Sequence, residues 1–256
     1  MQLQNTEDFY PLSPLQEGLL FHALYSPEGG EDVSQISCVM RGELNVMALK
    51  EAWQQVVQRH AALRTFFLWE GLKKPVQVVQ KHLDLTWEEL DWRGLSSEAQ
   101  REQLAAYLAQ EQTRSFHLSH APLMRLALIR LNEYEFVWSH HHLLLDGWST
   151  SLVTNEVIRF YQALSHGEHL LLPNPRPYRD YIAWLDRQDL SKAEVFWREK
   201  LKGFDAPTPL VIDQTSVETE AFGESKVQLS AETTGRLQLL ARQHGLTLNT
   251  ILAGAW

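Results

Sequence analysis

Phe136-Val137-Trp138-Ser139-His140-His141-His142-Leu143-Leu144-Leu145-Asp146-Gly147-Trp148-Ser149 decides how the chain reads. An apolar run ends in three histidines, three leucines follow, and Asp-Gly precedes a helix start. Polar groups this concentrated between apolar flanks need partners, because an unpaired buried imidazole or carboxylate is costly. If the run from Phe136 is a strand, alternate residues point to opposite faces. His140 and His142 then share one face and His141 takes the other.

Outward from this stretch, Leu123 to Leu131 and Tyr134 to His141 read as adjacent strands joined at Asn132-Glu133. Both are too apolar for one-sided surface strands, which places them centrally in a sheet. Gly147 to Leu164 reads as a helix with Leu152, Val153, Ile158 and Tyr161 inward. Upstream, Ser13-Pro14-Leu15-Gln16 has the form of a capping box with proline at the first helical position, opening a helix to about Tyr25. Val33 to Leu44 is strand-like, and Asn45 caps a helix whose stripe is Leu49, Trp53, Val56 and Val57. Leu63 to Trp69 and Val76 to Val79 form a β-pair around Gly71. Leu83 to Gly94 reads as irregular, and Ser97 with Gln100 opens a further helix. Downstream of the proline-rich 172–177 come helices over 178–187 and 191–201, the second boxed by Ser191 and Glu194. The composition from Gly203 to Phe222 shifts to Pro, Thr, Asp and Glu without periodicity. The expected organisation is a first lobe over 1–203, a linker over 204–222, and the start of a second lobe over 223–256. In that last part a strand over 225–229 precedes a helix over 232–244 and another apolar helix, inside which the chain stops.

The 256 residues, 44% hydrophobic and 21% charged, fit a globular protein with a sizeable core. The net charge of −9 (23 basic against 32 acidic) argues against a nucleic-acid or anionic-membrane partner. Apolar runs fall far short of the roughly 20 residues that span a bilayer. The polar start Met1 to Asp8 is no signal peptide. A single cysteine, Cys38, excludes an internal disulfide framework and suits a reducing, cytoplasmic setting; in a strand-like run it reads as a buried thiol. Most of the nine tryptophans sit at core-type spacings.

Three chemistries fit the histidines. A metal could take His142 and Asp146, with His140 helping. Zinc sites need three or four ligands, however, and Asp-Gly favours a turn over a helical ligand pair, so no metal is expected. A hydrolase would need a nucleophile elbow, and Gly-x-Ser-x-Gly is missing. The third is acid–base or positioning chemistry by one imidazole without a covalent enzyme intermediate.

His141-His142-x-x-x-Asp146-Gly147 resembles the His-His-x-x-x-Asp-Gly signature of nonribosomal peptide synthetase condensation domains, a superfamily similar to chloramphenicol acetyltransferase. Three further stretches stand in family order. Leu12-Ser13-Pro14-Leu15-Gln16-Glu17-Gly18-Leu19-Leu20-Phe21-His22 resembles the first core motif. Arg59-His60-Ala61-Ala62-Leu63-Arg64-Thr65-Phe66-Phe67 resembles the second, and Tyr178-Arg179-Asp180-Tyr181-Ile182-Ala183-Trp184 the fourth. The resemblance implies an α/β fold, a chloramphenicol acetyltransferase-like two-layer sandwich with a mixed sheet and helices on one face. It implies an acyltransferase-type enzyme of secondary metabolism, such as antibiotic biosynthesis. An acceptor amine attacks a donor thioester, both held on 4'-phosphopantetheine arms of upstream and downstream peptidyl carrier proteins. No tightly bound cofactor is expected.

By the same resemblance His142 is the catalytic imidazole, acting either as general base or as a group that positions the amine. The backbone N–H of Gly147 is the candidate oxyanion donor, and His141 is a packing or positioning residue. His140 gets no role. Asp146 is expected to be a buried structural anchor paired with Arg64, the one cation in an otherwise apolar strand, with Trp148 packed under the loop. Tyr181 and Trp184 read as a core stripe. The first motif resembles the version found in domains that take a D-configured donor and an L-configured acceptor. The later motifs are absent, so the chain reads as the first lobe plus the beginning of the second, weak or inactive alone. An epimerisation domain of the same superfamily, a stand-alone acyltransferase using coenzyme A thioesters and a non-catalytic carrier-binding module are the alternatives.

Overall fold

The computed structural model of the chain describes residues 5–25, 32–206 and 227–255. The chain divides into two compact units, Met1–Val195 and Phe196–Trp256. The expected linker lies mostly outside the described residues. The second unit contains α7 (Ala231–Gln243) and α8 (Leu248–Ala255), and Ser230 caps the first of these through Thr233 N at 3.1 Å. Of the strand expected before them, 227–229 is not a strand and 225–226 falls outside the described residues.

The first unit holds β1 (Thr6–Pro11), α1 (Pro14–Tyr25), β2 (Val33–Met40), α2 (Val46–Arg59), β3 (Thr65–Leu68), β4 (Val76–Gln80) and β5 (Trp87–Asp91). It continues with α3 (Ser97–Thr113), β6 (Met124–Arg130), β7 (Tyr134–His141), α4 (Gly147–Ser165), α5 (Tyr178–Leu185) and α6 (Leu190–Lys200), whose last residues belong to the second unit. One sheet has the order β2-β7-β6-β5, antiparallel except for the parallel β5–β6 pair; a second, antiparallel, has the order β1-β4-β3. The mixed sheet carries β6 and β7 at its centre, as their two-sided apolarity requires. β5 is the strand that the sequence reads as irregular. Its Trp-Glu-Glu-Leu-Asp offers one apolar side at most, and only pairing with Leu126 to Arg130 makes it extended.

Strand alternation sorts the core. Phe136 and Trp138 of β7 with Leu126 and Leu128 of β6 face α2 and α4. Leu49, Trp53, Val56 and Val57 fill this side from α2, and Val153, Val157 and Phe160 from α4. Ala127, Ile129 and Val137 face the other way and meet Leu104, Tyr107 and Leu108 of α3, so helices close the second face too. In α4 the buried line is Val153, Val157 and Phe160; of the expected inward residues Val153 lies on it and Tyr161 packs partly buried beside it. Leu152 and Ile158, one position off that i, i+4, i+7 line, are exposed. Arg59 and His60 tie the end of α2 to α4, each bonding Glu156 (2.9 and 2.8 Å). Cys38 on the edge strand β2 is exposed rather than buried. Among the described residues no helix is long and apolar enough to cross a membrane.

Candidate active site

The site is a loop, 142–146, between the central strand β7 and α4. β7 ends at His141, so strand alternation places only the first two histidines. His140 is buried against Trp138, ring centroids 4.6 Å apart, and its Nδ1 has no partner among the described residues. His141 is buried facing the other side, where it borders a cleft with Phe116 and Trp69. His142 lies past the strand and is exposed. It borders a different cavity, of about 120 Å³, together with Ser13, Gln16, Gln77, Asp146 and Tyr178. The three neighbouring imidazoles thus have three environments.

Burial, the largest cause, and the neighbouring histidines together pull both His140 and His141 down from 6.5 to about 4. His141 is therefore neutral at neutral pH. Its Nδ1 accepts the Leu143 N–H at 3.1 Å, which puts its proton on Nε2. His141 is a hinge pin of the turn. A base whose folded pKa is depressed contributes stability that is intact above its unfolded value and lost as pH falls. Unfolding free energy should hold above pH 6.5 and then drop by roughly 1.4 kcal/mol per pH unit per imidazole toward pH 4. Denaturant titrations between pH 4 and 8 measure this, and a flat profile below 6.5 would contradict the burial assignment.

Asp146 corrects an expectation. It is exposed, caps α4 by accepting the Ser149 N–H at 2.8 Å, and bonds from Ser149 hold its carboxyl below the usual carboxylate range. The helix N-terminus supplies the partner charge, so no cation is required. Arg64 is not paired with it. Arg64 closes a 3₁₀ turn (Ala61–Arg64) and is buried, 4% exposed. Its guanidinium bonds the carbonyls of Val57 (3.1 Å), Lys81 (3.2 Å) and Gln80, and the Glu7 carboxylate (2.7 Å). The end of α2, the end of β4 and the start of β1 converge there and supply its acceptors. Gly147 opens α4, where a helix leaves its first N–H groups without intrahelical partners; an added Cβ would meet nothing within 4 Å. Trp148 does not pack under the loop; it is 85% exposed. Tyr181 and Trp184 are half exposed, and Ile182 is the buried residue of α5.

The structure adds residues that the sequence reading passed over. The Ser13–Gln16 capping box forms as expected: Gln16 N–H donates to Ser13 Oγ (3.2 Å) and Ser13 N–H to Gln16 Oε1 (3.0 Å). But Gln16 is also buried, and its amide reaches Gln77 of β4 and the carbonyl of Leu143. The signal was available. Gln16 lies four residues before Leu20 on the buried stripe of α1, and Gln77 interrupts an apolar strand. Tyr178, the first residue of α5, brings the fourth motif to the same cavity, and burial pushes its hydroxyl up. Ser13, His142 and Tyr178, far apart in the chain, thus border one cavity. Among the described residues no cluster of His, Cys, Asp and Glu could hold a metal.

A family model described as Condensation domain matches residues 6–256. A linear gramicidin synthase of Brevibacillus parabrevis is 47% identical over 98% of this chain and 5% of its own length. Surfactin synthase subunit 3 of Bacillus subtilis is 36% identical over 98% of this chain and 20% of its own. The cyclization-docking bidomain of EpoB from Sorangium cellulosum superposes with a TM-score of 0.71 at 20% identity, over 96% of this chain and 50% of that one. The starter condensation domain of the rhizomide synthetase RzmA gives 0.69 at 18%, over 78% and 50%. The chain thus spans half or less of each of these proteins, and the mixed α/β fold is that of these structures. With the match running from residue 6 to 256, the chain belongs to the condensation-domain family, the family of nonribosomal peptide synthetases whose motifs it carries in order.

Proposed function

We propose that this chain carries the histidine-bearing part of an amide-forming condensation domain. In this reading the amine of an aminoacyl group on a downstream carrier attacks the thioester of an aminoacyl or peptidyl group on an upstream carrier. The carbon–sulfur bond breaks, the thiolate leaves on its 4'-phosphopantetheine arm, and the amine's proton is given up. The observation that supports it most is the presentation of one exposed imidazole, His142, just past a strand whose last two residues, His140 and His141, are buried. His142 takes the amine's proton or holds the amine in line. The thioester is already activated, so orientation and charge removal suffice. The N–H of Gly147, at the positive end of α4, is the candidate donor to the oxyanion. His141, Asp146 and Arg64 support the fold around it. Residues 1–203 serve as the first lobe, 204–222 as linker and 223–256 as the start of the second. The first motif, Ser13 to His22, favours a D-configured donor and an L-configured acceptor. Carrier proteins and the rest of a cytoplasmic synthetase module are the partners.

The test uses the complete condensation domain containing this chain, supplied with a loaded donor carrier and a loaded acceptor carrier. Amide product supports the proposal. Donor racemisation without amide would replace it with epimerisation, and carrier binding without turnover with a docking module. The 256-residue chain assayed alone should form little or no amide, because His142, Asp146 and Trp148 stand open to water that competes with the amine.

A further inference from the structure

Gln16 sits one turn inside α1, yet its amide is bonded on every side. Oε1 accepts from Ser13 N–H (3.0 Å) and from Gln77 Nε2 (3.0 Å). Nε2 donates to Gln77 Oε1 (3.3 Å) and to the Leu143 carbonyl (3.2 Å). Two donors and two acceptors are the whole capacity of a carboxamide. The orientation is decided as well, since only the oxygen can meet the Ser13 N–H. The NH2 group must therefore point at Leu143, and a flipped amide would face two donors and two carbonyls wrongly. Gln77 is locked in turn by the Pro11 carbonyl at 2.9 Å.

Leu143 is the residue after His142. Its N–H is held by His141 Nδ1 (3.1 Å) and its C=O by Gln16, while the N–H of His142 itself donates to the Asp32 carbonyl (2.9 Å). The peptides on both sides of His142 are fixed, though its ring is free of protein partners among the described residues. A capping role accounts for Oε1 alone. It leaves unexplained why a buried donor spans from the first motif to the histidine loop, 127 residues away in sequence.

We propose that Gln16 is a positioning residue for His142, acting through the Leu143 peptide rather than touching substrate. This rests on His142 being the catalytic imidazole. Glutamate at the same position separates the two roles, because its carboxylate keeps the Ser-x-x-Glu capping box and loses the donor to Leu143.

In the complete domain with loaded carriers, Gln16→Glu is expected to lower kcat by about 10- to 100-fold with KM for both carriers little changed. The deficit relative to the unaltered enzyme should shrink as pH falls and the introduced carboxyl regains a proton to donate. His142, Asp146 and Tyr178 are the other titratable groups on this cavity, and taking the ratio at each pH removes their contribution. Gln16→Leu, which has no proton to regain, should show no recovery. Gln77→Leu breaks the amide pair but leaves Gln16 Nε2 on Leu143, and should lose clearly less of kcat than the Gln16 variants. Equal kcat losses in the Gln16 and Gln77 variants would overturn the positioning role, as would a pH-independent deficit. Failure of Gln16→Glu to fold would assign the residue to stability and overturn it too. If His142→Ala itself retains full activity, the catalytic reading of the loop fails first. If His142→Ala is dead while Gln16→Glu is unaffected, only the present inference fails.

Discussion

His142→Ala, placed in the complete condensation domain, is expected to fold normally and to lose about 10²- to 10⁴-fold in amide formation. The two halves of that expectation come from one fact. His142 is exposed and its ring has no hydrogen-bond partner among the described residues, so truncating it breaks nothing in the fold. Surface substitutions of this kind usually stay within about 0.5 kcal/mol of the parent. His141 behaves oppositely. It is buried, accepts the Leu143 N–H, and its loss should appear first in stability. Rates with loaded carriers, measured beside thermal melts of both variants, separate the roles. Retention of the parental rate by His142→Ala would remove this imidazole from the chemistry.

The second large effect is on stability. Arg64→Ala should cost about 3–4 kcal/mol, because it strands the buried carbonyl of Val57 and the part-buried carbonyls of Gln80 and Lys81, a buried one at about 1–3 kcal/mol before relaxation. Glu7 is half exposed and can be hydrated again, so the ion pair itself adds little. Asp146→Ala removes one N-cap and should cost only about 1 kcal/mol. The sequence reading coupled these residues as one buried pair, which would make the double variant far less damaging than the sum. In the structure they share no contact, so the two costs should add within about 0.5 kcal/mol. A coupling of about 2 kcal/mol or more in a denaturant-based double-mutant cycle would restore the pair. These expectations reverse the usual emphasis on the motif aspartate: the heavier structural burden falls on the arginine of the second motif.

How much was legible depended on the range of the forces involved. The Ser13–Gln16 capping box, the stripe of α2, the pairing of β3 with β4 and the central place of β6 and β7 are written in short windows. They depend on side-chain periodicity and on local hydrogen bonds within a few residues. The expected Ser97 and Ser191 boxes, by contrast, do not form: Ser96 caps α3 and Ser191 bonds Asp189. β5 was not legible because its extended form is imposed by β6 from 39 residues away. The inward face of α4 differs from the expected one by a single position, which periodicity alone does not resolve when Leu, Val and Ile crowd all sides of the helix.

For the site, the sequence by itself determined which histidine-rich loop matters, its entry from a central strand, its exit into a helix, and the family to which the four motifs point. What only the tertiary structure decided is where each polar group finds its partner. Asp146 meets a helix N-terminus instead of Arg64, Arg64 meets carbonyls at the ends of α2 and β4 and the Glu7 carboxylate, and Gln16 reaches across 127 residues to Leu143. The physical reason is that the periodicity of apolar residues announces which face is buried, whereas a buried donor or acceptor takes whichever complementary atom the packed elements bring within about 3 Å. That choice is made by the fold.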